Sequence, residues 1–194
     1  MDVIRPILTV DDFTQLPDDG KRYEILEGDL AVSPSPHRKH QRCVLQLTRL
    51  LQQYEEAGYG QVFPAPFDVI LDHYNVVEPD LLFIRQNRLG IVTDANVQGA
   101  PDLVVEVLSP STRERDLGVK AHLYARFQVP EYWVVDPEEE TVTVYRLTEE
   151  GYQIVGSFRS GDRVDIPLFP DIPLAVAEVF RSKLSPDGER LISP

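Results

Sequence analysis

Residues 102–109, DLVVEVLS, constrain the fold more tightly than any other stretch. Strand alternation puts Asp102, Val104, Glu106 and Leu108 on one face and Leu103, Val105 and Val107 on the other. Both faces are apolar near the middle, which is the pattern of a central strand covered on both sides. Glu106 stands in the middle of that run. A lone carboxylate there costs several kcal/mol, so Glu106 is paired, protonated or bound to a cation. An ordinary buried ion pair satisfies the same requirement.

The rest of the chain builds a sheet around this strand. Residues 22–32, RYEILEGDLAV, read as a hairpin about Glu27-Gly28-Asp29. From about residue 40 to 57, Val44, Leu47, Leu50, Leu51 and Tyr54 recur at spacings of three and four, which predicts an amphipathic helix stopped by Gly58. Strand-like runs follow at 61–71, 76–84 and 102–108. A second helix is expected over 113–127, capped by Ser111 or Thr112 and ended by Val129-Pro130. Three further strands are expected at 131–136, 141–147 and 152–157, and a short helix at 175–181. Together these predict one α/β domain (α+β by some schemes) over residues 1–183, with a mixed sheet flanked by helices. An N-terminal β-hairpin precedes that core and extra antiparallel strands follow it. Residues 184–194 are expected to form a loose tail.

Charge limits the partners. Against 19 Lys and Arg stand 32 Asp and Glu, a formal net charge of −13. Nucleic-acid binding draws most of its affinity from phosphate neutralisation, so the chain taken whole repels DNA. Contact with DNA needs a local basic face, a divalent cation, or both. The densest basic stretch is His37-Arg38-Lys39-His40-Gln41-Arg42, with Arg113 and Arg115 as a second contribution. The one cysteine, Cys43, forms no internal disulfide and no zinc cluster. With no apolar run of membrane-spanning length and no signal-like start in MDVIRPILTVDDF, a cytoplasmic protein free of the membrane is expected.

Two more residues resist a purely structural reading. In VVEPDLLFI at 76–84, Pro79 belongs where a strand enters the sheet, which places Asp80 at that entry with Leu82 and Ile84 on its face. Asp80 could equally serve a turn. On the second helix, Leu117, Lys120 and Tyr124 share one stripe, so Lys120 points with residues expected to face the core. A snorkelling lysine paired at the surface with Asp116 is the bland counterpart. Two acids on neighbouring strands and an inward lysine make a site of hard oxygen ligands plus an ammonium, suited to a divalent cation and a phosphate. Tyr132 and Trp133 invite base stacking, but a strand entering a sheet favours packed aromatics or a subunit contact.

Pro79-Asp80 followed by Glu106 on the next strand resembles the PD-(D/E)xK, or restriction-endonuclease-like, superfamily. The longer pattern is similar to its Uma-type family of endonucleases. The matching stretches are YEILEGDL, His40-Gln41, VEPDLLFI, PDLVVEVLSPST, the spacing Asp116…Lys120…Tyr124, and VPEYWVVDP, which cover most of residues 22–137. The superfamily's lysine lies two residues after the acid, where this chain has Leu108, and the resemblance moves that role to Lys120. It also implies Glu24 as a further acid. Glu27 is the alternative, although beside Gly28 it reads as a turn residue. His40 is open to three roles: phosphate contact, proton acceptor or helix cap. Asp102, after Pro101, ranks below Asp80.

What the resemblance implies is an endonuclease in which Asp80 and Glu106 bind Mg²⁺ or Mn²⁺ and Lys120 orients the attacking water. Glu24, His40 and Asp102 would support the site, with Arg38, Lys39, Arg42, Arg113 and Arg115 on the nucleic acid. Cleaved DNA with a 5′-phosphate and a homodimer are expected on the same basis. Two other readings stand beside it: an inactive descendant acting as a binding or assembly protein, and a hydrolase of another phosphate ester. An acid locked to an arginine, or a Lys120 in open solvent, would count against hydrolysis.

Overall fold

The computed structural model describes residues 6–169 and 173–181. The expected tail at 184–194 lies outside the described residues. In chain order the elements are helix α1 (Val10–Phe13), strands β1 (Arg22–Leu26) and β2 (Asp29–Ser33), helix α2 (Arg38–Glu56), and strands β3 (Gly60–Pro64), β4 (Asp68–Asp72), β5 (Asn75–Val77) and β6 (Leu81–Arg85). A 3₁₀ segment (Gln86–Ile91) leads to β7 (Asn96–Gln98) and β8 (Leu103–Val107). The second long helix comprises α3 (Arg113–Arg115), a π-turn (Asp116–Lys120) and α4 (Ala121–Arg126). It is followed by β9 (Glu131–Asp136), β10 (Thr141–Thr148), β11 (Gly151–Phe158), β12 (Arg163–Val164), β13 (Leu174–Ala175) and α5 (Val176–Val179).

The strands form a six-stranded sheet, β11-β10-β9-β8-β6-β3, a five-stranded sheet, β2-β1-β5-β4-β7, and the small pair β12-β13. Within the larger sheet β8 pairs antiparallel with β6 and parallel with β9. Parallel neighbours need a crossover, and the α3–α4 helix supplies it. All five residues of β8 are buried, as a strand apolar on both faces requires. Leu103, Val105 and Val107 face a core closed by Leu47, Leu51 and Tyr54 of α2. Val104 and Leu108 face a second core shared with Leu123 and Tyr124 of α4 and with Val69 and Val77 of the smaller sheet. Glu106 lies between Val104 and Leu108 in the chain, so its side chain enters the layer between helix and second sheet.

Two expected strands are each divided. The run 61–71 splits into β3 and β4 around Ala65-Pro66, and its halves belong to different sheets. Likewise 76–84 splits into β5 and β6, with Glu78-Pro79-Asp80 as the corner between the sheets. Proline has no amide proton to offer a ladder, so the chain leaves one sheet there and enters the other. Continuous apolar character hid both breaks. The β1–β2 turn has φ of +53° at Glu27 and +84° at Gly28, the left-handed pair that matches hairpin twist.

The second helix departs from regular α geometry. A π-turn adds a residue to one turn and rotates the faces after it. Asp116, Lys120, Leu123 and Tyr124 therefore face inward, while Leu117 is 41% exposed, against the expectation that it faces the core. Thr112 stands at the helix N-cap, but its hydroxyl lies 2.9 Å from Ser109 Oγ and caps no amide of the first turn. No helix among the described residues is long and apolar enough to cross a membrane. Trp133 and Tyr132 are packed: the Trp133 indole donates to Glu131 at 3.1 Å and the Tyr132 hydroxyl to the Asp116 carbonyl at 2.9 Å. Burial raises the Cys43 thiol to about 12, which leaves it a protonated core residue.

Candidate active site

The split of the Val76–Ile84 run has a chemical consequence. It places Asp80 immediately before β6, at the edge of the ladder with β8, whose last paired residues are Leu81 and Val105. Beyond that pair the Val107 amide donates to Asp80 Oδ2 at 2.8 Å, so the carboxylate continues the ladder where the β6 backbone has turned away. Asp80 is thereby tied to the residue next to Glu106. His40, on the first turn of α2, places Nε2 3.0 Å from the same Oδ2. Arg22, the first residue of β1, places NH1 3.0 Å from Oδ1. The Arg22 NH2 also donates to the Glu78 carbonyl at 2.6 Å, and its Nε is paired with the Glu78 carboxylate.

Lys120 forms the other half of the cluster. Its ammonium, 2% exposed, lies 2.6 Å from Glu106 Oε1 and 2.8 Å from Glu24 Oε1. The Tyr124 hydroxyl, one turn on, donates to Glu106 Oε1 at 2.7 Å. Glu24 Oε1 also accepts the Glu78 amide at 3.0 Å, and Arg115 lies 3.5 Å from its Oε2 while bonding the Ser33 hydroxyl. Asp116, read from sequence as a surface partner of Lys120, is instead 2% exposed. Residues distant in sequence thus meet: Glu24 from β1, Asp80 from the corner, Glu106 from β8, Lys120 from the π-turn and His40 from α2.

The cluster is electrostatically unbalanced. Five buried carboxylates (Glu24, Glu78, Asp80, Glu106 and Asp116) face Arg22, Arg115 and Lys120, with His40 as a further partner. Burial disfavours every charge in it, and neighbours decide which groups remain ionised. Burial raises Glu106 to about 8, with the charges of Asp116, Asp80 and Glu24 adding to the rise and Lys120 opposing it. For Asp80 burial is outweighed by the His40 hydrogen bond and charge, the Arg22 charge and the Val107 amide, and the carboxyl falls below its ordinary range. Burial works against the Glu24 carboxylate, but the Lys120 charge and hydrogen bond, the Glu78 amide and the Arg115 charge together lower it. Burial works against the Lys120 ammonium, yet Glu106, Glu24 and Asp116 together hold it protonated more firmly than usual. Glu78 and Asp116 are raised, chiefly by burial.

Not every candidate joins this group. Asp102 belongs to a separate anchor: its carboxylate lies 2.8 Å from Arg88 and 3.7 Å from Arg85 and accepts the Arg85 amide at 2.9 Å. These bonds pin the 3₁₀ segment to the start of β8. Among the basic residues, Arg115 is turned inward to Glu24. Lys39 pairs with Glu138 at 2.6 Å at the surface, and the half-exposed Arg113 pairs with the buried Asp136 at 2.6 Å. Arg38 is exposed, and Arg42 lies along the Arg181 carbonyl at 3.4 Å. A cleft of about 360 Å³ opens beside His40, with Leu108, Ser109, Arg113, Lys39 and Asp136 in its walls. Glu27 is a turn residue paired with Arg126.

Arg22 and Glu78 had no signal as site residues. Each is one of many charged residues in the chain, and only the meeting of the two sheets brings them to Asp80. Tyr124 and Asp116 had one, the four-residue spacing through Lys120, which a π-turn converts into a buried stripe.

The donor chemistry fits a hard divalent cation. Asp80 and Glu106 offer carboxylate oxygens close enough to influence each other's ionisation, in a pocket with more acids than permanent cations. Mg²⁺ needs few protein carboxylates, because it retains several waters. Among the described residues no three His, Cys, Asp or Glu side chains form a ready-made cage. Of the two conditions that would count against hydrolysis, one is met and one is not. Asp80 is held by an arginine, whereas Lys120 is deeply buried against the acids.

A mixed sheet flanked by helices is the architecture of restriction-endonuclease-like proteins. The chain belongs to the Uma2 family, described as "Putative restriction endonuclease", whose model matches residues 10–177. It is similar to a curated relative, "Uncharacterized protein slr1290" of Synechocystis sp. (strain ATCC 27184 / PCC 6803 / Kazusa), with 23% identity over 163 residues, covering 83% of this chain and 84% of the relative. In three dimensions it is similar to a crystal structure of "a putative nuclease belonging to DUF820" from Anabaena variabilis ATCC 29413. That likeness has a TM-score of 0.75 at 20% identity, over 89% of this chain and 97% of that one, and it shows the shared fold.

Proposed function

We propose that this chain is a divalent-metal-dependent endonuclease that hydrolyses DNA phosphodiester bonds, with Asp80, Glu106 and Lys120 as its reactive centre. The observation that carries the reading is the Lys120 ammonium at 2.6 Å from Glu106, buried beside a second strand acid whose backbone anchor is Val107. Asp80 and Glu106 would hold Mg²⁺ or Mn²⁺. Such an ion supplies Lewis-acid stabilisation of phosphate charge and a bound water of lowered pKa. Lys120, fixed from two sides by Glu24 and Glu106, presents an oriented positive charge for an attacking water or for the developing negative charge. Tyr124 holds the Glu106 carboxyl in place, and His40 and the Val107 amide do the same for Asp80. The cleft beside His40 is the approach for the substrate backbone. On the family's pattern we take residues 1–183 as one domain acting as a cytoplasmic homodimer.

A titration calorimetry experiment with Mn²⁺ tests the metal half of this reading. Wild type should take up the ion, and Asp80→Ala should lose most of that binding. Uptake unchanged in Asp80→Ala, or no uptake by a folded wild type, would overturn it. The second reading, a non-catalytic descendant of the nuclease fold, is favoured by one observation: Arg22 already neutralises Asp80. No metal uptake by either chain is the outcome that reading expects.

A further inference from the structure

Arg22 makes more bonds than a charge pair requires. Its Nε is paired with the Glu78 carboxylate, its NH2 with the Glu78 carbonyl and its NH1 with Asp80 Oδ1. The guanidinium fork thus spans the corner that joins the two sheets. Asp80 and Glu78 both compensate the Arg22 charge, and Glu78 is the partner that the proposed metal does not need. The Asp80 bond therefore adds a second carboxylate that the proposed metal reading needs for itself. Guanidinium and divalent cation require the same oxygen lone pairs and repel each other across a few ångströms.

We propose that Arg22 competes with the divalent cation for the Asp80 carboxylate, and that Glu78 holds the displaced guanidinium beside the site when the cation binds. The inference rests on the metal-dependent reading above. The hydrogen bond to the Glu78 carbonyl and the ion pair with its carboxylate make it workable, because they keep Arg22 compensated and anchored when NH1 releases Asp80. His40 and the Val107 amide both bond Oδ2, which leaves the contested oxygen, Oδ1, to Arg22. Arg22 accordingly sets the ion concentration at which the site fills, and acts as a positioning residue.

The test is Mn²⁺ titration calorimetry on wild type, Asp80→Ala, Arg22→Gln and the charge-balanced double variant Arg22→Gln with Glu78→Gln, each checked for folding by circular dichroism. Both Arg22 variants should bind Mn²⁺ about tenfold tighter than wild type or more, as removal of a nearby positive charge demands. The double variant decides the matter if the single one fails to fold. In the wild-type chain, the Arg22 Nε–H nuclear magnetic resonance signal should shift on adding Mg²⁺, which needs no variant. Equal or weaker binding in folded Arg22 variants, or an unmoved Arg22 signal, overturns the inference. If wild type binds and Asp80→Ala does not, that failure leaves the metal reading standing. If no folded chain takes up Mn²⁺, both fall together.

Discussion

In the proposed centre Glu106 is the acid that burial pushes up furthest, in a pocket already rich in carboxylates. Its ordinary value is 4.5 and burial lifts it to about 8 in the folded chain. Between those values the unfolded chain releases a proton that the folded chain keeps, so this group's contribution to stability declines as pH rises through that window. Asp80 and Glu24 act in the opposite sense, since their lowered values stabilise the fold above the ordinary carboxylate range and fail as pH falls through the lowered ones. Urea denaturation should therefore show that Glu106→Gln flattens the decline in stability up to about pH 8. An unchanged slope would contradict the assignment. A cation at Glu106 must also expel that proton. Calorimetry in buffers of different ionisation enthalpy should find about one proton released per Mn²⁺ bound below about pH 8, and none well above it. Glu106 and Lys120 were legible in the sequence because a charge in an apolar run has to be explained. Asp102 ranked below Asp80 in the sequence although both follow proline at a strand entry; His40 and the Val107 amide on Asp80, against Arg88 and Arg85 on Asp102, set the two apart.

At the scale of elements, the π-turn explains why the lysine stripe was legible and its phase was not. Regular helical spacing puts Leu117 with Lys120; the inserted residue puts Asp116 there instead. Leu117→Ser should change stability by no more than about 0.5 kcal/mol, as exposed positions do. Tyr124→Phe, which strips a buried donor from Glu106, should cost about 1–3 kcal/mol. The reverse order in urea denaturation would restore the regular helix. The β5–β6 break had a visible sign, Pro79, yet apolar residues on both sides made one strand as reasonable as two. The hairpins and the central strand were plain, because turn residues and two-sided apolar character leave few alternatives. Asp102→Asn belongs to this scale as well. It should weaken the fold through Arg88 and Arg85 while leaving Mn²⁺ affinity at the wild-type value, and a lost metal site would return Asp102 to the centre.

For the whole molecule, the charge of −13 sets the terms of any encounter with DNA. The basic residues lining the cleft are partly neutralised by Glu138 and Asp136, but a surface pair such as Lys39–Glu138 contributes only about 0–1 kcal/mol and yields readily to phosphate. Arg38→Gln with Lys39→Gln should weaken duplex binding measured by fluorescence anisotropy, and lower the salt slope by about one for each phosphate no longer neutralised. Arg115 will not behave in this way, since it is committed to Glu24 and Ser33. The most direct measurement is nicking of supercoiled plasmid in Mn²⁺ by purified wild type, Glu106→Ala and Lys120→Ala, each shown to be folded. Wild type should cut, and each variant should be slower by about a hundredfold or more, as loss of a charge-stabilising group implies. Cleavage that survives in Glu106→Ala, or a folded wild type that never cuts, would contradict the assignment of this buried cluster as the reactive centre.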